Sequence, residues 1–168
     1  TFVGGVELDT TVAKAAAFEK TAKIVNPSCN VSVVYAGSYS DVAKGKEIAE
    51  SAISSGTDVI YGDASAVDSG EREAIKNHPG VYDIAQPSDL GSSDDDVIAC
   101  SIVTDNRVMI EQCLEDVEND SYGNKVVEGT IKNGAIKMGT FSEKLVSKDV
   151  QDKFAEYEKQ IEDGTFAA

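Results

Sequence analysis

Short apolar runs alternate with longer segments of helical periodicity along most of the chain. Residues 1–5 form the first such run. A helical face follows it, made of residues at spacings of three and four: Thr11, Ala15, Phe18, Ala22 and Val25. Asn26-Pro27 predicts the end of this helix, because the residue before a proline is disfavoured in the helical region. The pattern therefore predicts a strand followed by a helix.

This strand–helix unit repeats as far as residue 119. Further strands are predicted over four ranges: 31–35, 58–61, 81–85 and 97–103. The helices between and after them are predicted over three ranges: 41–54, 70–77 and 106–119. Strands that alternate with helices of this length are joined by crossover connections. The pattern therefore predicts an α/β fold with a parallel sheet flanked by helices.

The character of the chain changes after residue 119. Asn133-Gly134 separates two strand-like runs, 126–132 and 135–138, and this dipeptide suits the tight turn of a β-hairpin. A last helix is predicted over 147–163, with a buried stripe of four residues: Val150, Phe154, Tyr157 and Ile161. We expect an α/β fold with a C-terminal β-hairpin and helix.

Charge excludes two classes of partner. The chain has 168 residues, enough for one domain, and 30 acidic residues against 15 Lys plus Arg give it a net charge of −15. Binding to nucleic acid or to an anionic membrane surface needs an excess of cations, so neither is expected. No stretch approaches the roughly 18 consecutive apolar residues of a membrane span.

Residues for catalysis or metal binding are sparse. The three cysteines, Cys29, Cys100 and Cys113, form no CxxC pair and are expected to be free and structural. His78 is the one histidine and lies in a predicted turn, a poor place for a general base. The acidic stretches 94–96 and 116–120 fit solvated surfaces better than calcium loops. We expect no metal, no cofactor and no enzymatic activity.

Polar and small residues follow two of the predicted strands. In an open α/β sheet, ligands bind beyond the carboxyl ends of the strands. One such segment runs from 62 to 70 and includes Asp63, Ala64, Ser65, Ser69 and Gly70, and the other is 86–89. Their hydroxyls, carboxylates and amides suit reversible binding of a small polar ligand. Ordinary strand–helix turns explain the same pattern equally well.

Several segments occur in an order that is more specific than any one of them: Phe2-Val3-Gly4-Gly5, Val25-Asn26-Pro27, Tyr35-Ala36-Gly37-Ser38, Asp41 to Ala49, Gly56 to Tyr61, Tyr82 to Ala85, Cys100-Ser101 and Ile161 to Gly164. Together they resemble the basic membrane protein (BMP) family of substrate-binding proteins, whose relatives bind purine nucleosides for ABC transporters. The resemblance implies that residues 1–168 form the second lobe of a type I periplasmic-binding-protein fold with its C-terminal return segments, the first lobe being absent.

The resemblance also implies an ABC permease as partner and an extracytoplasmic protein with a lipid anchor upstream of Thr1. Asp89 corresponds to an aspartate of the family's binding segment, and Thr104 stands where the family usually has a lysine. The loop 64–68 replaces a glycine-rich one. We expect ligand contacts from seven residues: Asp63, Ala64, Ser65, Ser69, Gly70, Asp89 and Thr104. A ligand-binding sensor or regulator that uses the same fold is the alternative.

Overall fold

The computed structural model describes residues 1–91 and 96–166. Six strands and five helices form within these residues, in the order β1 (Phe2–Gly4), α1 (Asp9–Val25), β2 (Val33–Tyr35), α2 (Val42–Ser54), β3 (Val59–Asp63), α3 (Ala66–Ile75), β4 (Tyr82–Ala85), β5 (Ile98–Thr104), α4 (Arg107–Glu118), β6 (Ile136–Met138) and α5 (Lys148–Glu162). In the described part of the chain, no helix combines the length and apolar character that crossing a membrane requires.

The strands form one sheet in the order β2-β1-β3-β4-β5-β6. All neighbouring strands are parallel except β5 and β6, which are antiparallel. The predicted α/β architecture with a parallel sheet is confirmed. From β1 the chain first moves outward to β2 and then returns to the other side of β1 to form β3. Such a reversal is the switch point at which open α/β sheets bind ligands.

Alternating side chains of the strands supply two apolar layers. Phe2 and Tyr61 pack with Ala15 and Phe18 of α1 on one face of the sheet. On the other face, Val3 and Ile60 belong to a larger core that α2 and α3 cover. Two consecutive residues of β1, Phe2 and Val3, thus enter different layers, as the period of two in a strand requires.

The helices α2 and α3 pack with their backbones in close contact. A Cβ atom on Gly45 would stand 2.0 Å from the carbonyl oxygen of Val67, and one on Gly70 would stand 1.9 Å from that of Val42. Any larger residue at either position would push the two helices apart. The glycines therefore fix α3 in place over the sheet.

Strand β5 continues beyond the carboxyl edge of the parallel sheet. Ala85, the last residue of β4, pairs with Ser101, and the three following residues of β5 pair with β6 instead. We call the paired segments Ile102–Thr104 and Ile136–Met138 the β5–β6 ribbon. Helix α4 follows the ribbon directly and has one buried residue in the described structure, Asp116.

The predicted hairpin at Asn133-Gly134 is wrong in its strand pairing. Residues 126–132 form no strand, and β6 pairs with the free extension of β5. The turn itself exists, since Gly134 has a φ of +78°. The Asn133 side chain closes it locally, accepting from the Thr130 amide at 2.9 Å and donating to the Glu128 carbonyl at 2.8 Å.

Two helices also differ from the predictions. Helix α3 begins at Ala66 rather than Gly70, because the amides of its first turn find acceptors: Ala66 N donates to Tyr39 O at 3.0 Å. Helix α5 was expected to bury its apolar stripe, yet none of its described residues is buried. Phe154 packs edge-on against Phe141, with ring centroids 5.4 Å apart, and Val150 and Ile161 are exposed.

Candidate functional site

The carboxyl ends of β1 and β3 meet at the switch point of the sheet. The Gly5 amide donates to the Asp63 carbonyl at 3.1 Å, which joins the two strand ends. The ring of Tyr39 lies over Gly5, because a Cβ atom added there would stand 2.2 Å from Cε1 of Tyr39. A small residue at position 5 therefore leaves room for an aromatic side chain at this edge.

Asp63 is the centre of a charged group at this edge. The Lys14 ammonium donates to its two carboxylate oxygens at 2.9 and 3.0 Å. The Gln86 side-chain amide donates to Asp63 Oδ1 at 2.6 Å and to the Gly62 carbonyl at 2.8 Å. We call Lys14, Asp63 and Gln86 the switch-point cluster. It presents one cation, one anion and one amide from three different elements or their adjoining loops.

The sequence pattern predicts a ligand contact for Asp63 but none for Lys14 or Gln86, which the structure places beside it. The sequence does carry a signal for Lys14. Helix α1 follows β1, so its first turns lie at the carboxyl edge of the sheet, and Lys14 is adjacent in sequence to the buried Ala15. A charged residue in that position faces the strand ends. The signal depends on knowing the strand order, which the sequence does not supply.

The loop 63–65 connects β3 to α3. Ala64 is fully buried, so its side chain belongs to the core rather than to the surface of the site. Ser65 is exposed and adopts a φ of +60° with a ψ of −113°, a conformation that L residues rarely occupy. The Val67 amide donates to the Ala64 carbonyl at 3.2 Å. The first-turn amides of Ala66 and Val67 are therefore occupied by protein carbonyls.

Ser69 and Gly70 lie within α3 rather than in the loop before it. Ser69 is exposed and accepts from the Arg72 guanidinium at 3.4 Å. Gly70 faces α2, as its close approach to Val42 requires. Close packing of the two helices explains the glycine at this position.

Asp89 and Thr104 lie on the β5 side of the sheet. Their hydrogen bonds are made to residues outside the switch-point cluster. Asp89 accepts from the Thr140 amide at 2.9 Å and from the Thr140 hydroxyl at 2.7 Å. These hydrogen bonds lower the pKa of Asp89. The Thr104 amide donates to the Pro87 carbonyl at 3.0 Å. Asp89 thus fastens the loop after β6, while the Thr104 side chain is exposed.

The buried Ser101 hydroxyl holds the segment that carries Asp89. It accepts from the amides of Leu90 and Gly91, each at 3.0 Å. The segment after β4 is therefore tied to β5 by Ser101 and to the chain after β6 by Asp89. These hydrogen bonds hold the segment after β4 beside the carboxyl end of β5.

The arrangement at this edge can bind a polar molecule through an ammonium, a carboxylate, an amide and exposed hydroxyls. His78 lies elsewhere, at the end of α3, where its Nε2 is 2.8 Å from Glu50 Oε2 of α2. Among the residues that the structure describes, no group of three or more His, Cys, Asp or Glu side chains is arranged to hold a metal ion. The stretch 94–96 lies mostly outside the described residues.

Comparison with known proteins gives a family and relatives about twice as long. Residues 1–166 match the family model Bmp, described as "ABC transporter substrate-binding protein PnrA-like". The chain is 27% identical to the ABC transporter nucleoside-binding protein BmpA of Lactococcus lactis, with 97% of this chain and 50% of that protein covered. The chain therefore spans about half the length of the curated relatives it matches.

Solved structures agree with the fold. A solute-binding protein of an ABC transporter system from Aeropyrum pernix superposes with a TM-score of 0.77 at 19% identity, over 97% of this chain and 55% of that one. A transcriptional activator of the comK gene from Bacillus halodurans superposes with a TM-score of 0.82 at 20% identity, over 99% and 57%. Identities this low bear on the fold alone. The family match over nearly the whole sequence shows that the chain belongs to the Bmp family of PnrA-like ABC transporter substrate-binding proteins.

Proposed function

We propose that this chain is the second lobe, with the C-terminal return segments, of a solute-binding protein that delivers a small polar ligand to an ABC permease. The ligand class we propose is a nucleoside, and binding is reversible and without catalysis. The observation that carries the proposal is the switch-point cluster, because it gathers polar groups at the edge where α/β folds of this type bind ligands.

The cluster suits a ribose and a base better than it suits an anion. Asp63 can accept from ligand hydroxyls, and Gln86 can exchange its hydrogen bonds with a base or a sugar. The Lys14 ammonium supplies a cation near the crevice, whereas Thr104 offers a hydroxyl where the family usually has a lysine. We propose that Asp63, Ser65 and Thr104 contact the ligand and that Asp89 shapes the wall beside it.

We propose that a first lobe closes over this edge. The β5–β6 ribbon carries the chain past the edge of the parallel sheet, and α4 follows it with an apolar face that is open. Ile110, Leu114 and Val117 of that face are 57%, 58% and 54% exposed. They line a groove of about 420 Å³ with Tyr122. We propose that the first lobe covers this groove, because the relatives are about twice as long as this chain.

The proposal extends to location. By its family, the protein acts outside the cytoplasm, and we propose a lipid anchor upstream of Thr1 as its attachment to the cell membrane. The permease then meets the ligand-loaded, two-lobed protein rather than this lobe by itself. Closure of two lobes around a ligand is the hinge motion expected of such receptors.

Calorimetry with adenosine, inosine and guanosine tests the proposal. This chain alone buries one side of a ligand, so it should give no heat of binding at submillimolar concentrations. A protein that joins it to the first lobe should bind, and Lys14→Met in that protein should weaken binding roughly tenfold. Lys23→Met, on the same helix but paired with Glu19, is the matched control. Tight binding by the single lobe, or equal effects of the two variants, would contradict the proposal.

A further inference from the structure

Three carboxyl groups lie buried between α3 and the sheet. Asp68 is 4% exposed, and Glu71 and Asp83 are fully buried. Gly62 makes room for two of them, because a Cβ atom there would stand 2.7 Å from Asp68 Oδ1 and 2.9 Å from Glu71 Oε2. We call Asp68, Glu71 and Asp83 the carboxyl cluster. The cluster contacts the loop 63–65 through Asp68, which accepts from the Ala64 amide.

The cluster holds more acid groups than cations. The Arg72 guanidinium is 3.2 Å from Asp83 Oδ2. Neither carboxyl oxygen of Glu71 has a hydrogen-bond partner within residues 1–91 and 96–166. A charged carboxylate without partners is strongly disfavoured in a buried site. Burial raises the pKa of Glu71 to about 9, so Glu71 holds a proton at neutral pH.

Asp68 differs from Glu71 because it has a backbone donor. Its Oδ1 accepts from the buried Ala64 amide at 2.9 Å. Burial raises the pKa of Asp68 to about 6, and the Ala64 hydrogen bond and the Arg72 charge limit the rise. Asp68 is therefore ionised above about pH 6 and protonated below it. A hydrogen bond to an ionised carboxylate is roughly twice as strong as one to a neutral acceptor.

The bond to Asp68 acts on the strained part of the loop. Ala64 is held to α3 at both ends, through its amide to Asp68 and through its carbonyl to the Val67 amide. Ser65, the next residue, has a positive φ. A non-glycine residue keeps such a conformation when surrounding contacts impose it. The Asp68–Ala64 bond is one of those contacts.

We propose that Asp68 is a proton-controlled positioning residue for the loop 63–65, which it holds in the observed shape more firmly as a carboxylate than in its protonated form. The consequence for ligand affinity rests on the proposed function: affinity should fall as the pH falls below about 6. The loop response itself does not depend on any ligand.

Charged and titratable groups face the cluster from several elements. They are the amine of Thr1 before β1, Tyr61 and Asp63 of β3, Arg72 of α3 and Cys100 of β5. Burial raises the pKa of Tyr61 to about 12 and that of Cys100 to about 11. Both stay neutral through the range in which Asp68 changes charge.

Nuclear magnetic resonance of the ¹⁵N-labelled, ligand-free chain tests this inference. The Ala64 amide resonance should shift between about pH 4.5 and pH 8 with a midpoint near pH 6. Asp68→Asn should abolish the shift, because the Asn carbonyl still accepts from Ala64 but does not titrate. Asp68→Ala should speed hydrogen exchange of the Ala64 amide by roughly tenfold.

Asp41→Asn is the matched control, since Asp41 accepts from the Lys44 amide at 2.9 Å at the exposed start of α2. It should leave the Ala64 shift intact. An Ala64 resonance that does not move with pH in the unmodified chain would overturn the inference, and this measurement needs no variant. A shift that persists in Asp68→Asn would overturn it as well. Because no ligand is used, these results are independent of whether the chain binds a nucleoside.

Discussion

At the scale of single residues, Glu71 shows how burial sets the pH dependence of stability. Its folded-state pKa of about 9 is higher than the ordinary value of 4.5, because burial disfavours the carboxylate. A group of this kind stabilises the fold fully below about pH 4.5, where it is protonated in both states. That contribution is lost progressively as the pH rises toward 9. The chain should therefore be more stable in mild acid than in mild base.

Glu71→Gln should remove most of this dependence, since glutamine resembles the protonated acid and does not ionise. We expect it to raise the free energy of unfolding by about 2 kcal/mol near pH 8 and to change it little near pH 5. Urea denaturation at the two pH values measures both effects. Glu73→Gln removes the same charge from the exposed side of α3 and is the control. Equal gains from the two variants near pH 8 would show that net charge, not burial of Glu71, is responsible.

The switch-point cluster shows which part of a site a sequence can reveal. The place of Asp63 could be predicted, because a polar residue at the end of a strand lies at the carboxyl edge of an α/β sheet. Its partners Lys14 and Gln86 are 49 and 23 residues away in sequence. Their meeting depends on strand order and helix placement, which local patterns do not determine. The contact of Gly70 with α2 depends on helix placement in the same way.

At the scale of elements, the local pattern of apolar residues predicts the parallel strands and most helices. The pairing of β6 depends on β5, which is distant in sequence. β6 was identified as a strand by its own residues. Its pairing with β5 could not be predicted, because it depends on how far β5 extends past β4. The stripe of α5 is apolar in sequence, yet its burial depends on which surface it meets, and none of the described residues of α5 is buried.

Phe154→Ala should consequently cost less than truncation of a fully buried phenylalanine. The Phe154 ring packs against Phe141, and we expect a loss of about 1–2 kcal/mol rather than the 3–5 kcal/mol typical of a core site. Thermal unfolding should show a lower midpoint for Phe154→Ala than for Val150→Ala, which removes an exposed side chain from the same helix. Equal midpoints would mean that α5 does not dock through Phe154.

At the scale of the whole molecule, charge and architecture restrict the ligand. A net charge of −15 opposes the approach of anions, and this agrees with our proposal of a neutral nucleoside rather than its phosphate. Two regions of the sheet could take a ligand: the carboxyl edge with the switch-point cluster, and a groove of about 470 Å³ at the amino ends of the strands that Thr1, Ser32 and Thr57 help to line. Topology favours the carboxyl edge.

Chemical-shift mapping with millimolar inosine on the ¹⁵N-labelled chain tests the central claim, that this lobe supplies one wall of a nucleoside site at the carboxyl edge. We predict shifts at the amides of Gly5, Asp63, Ser65 and Gln86, and none at Thr57 or Asp58 on the opposite edge. Inosine 5′-monophosphate should give weaker shifts at the same amides. Shifts confined to the amino-end groove, or stronger shifts with the monophosphate, would contradict the account.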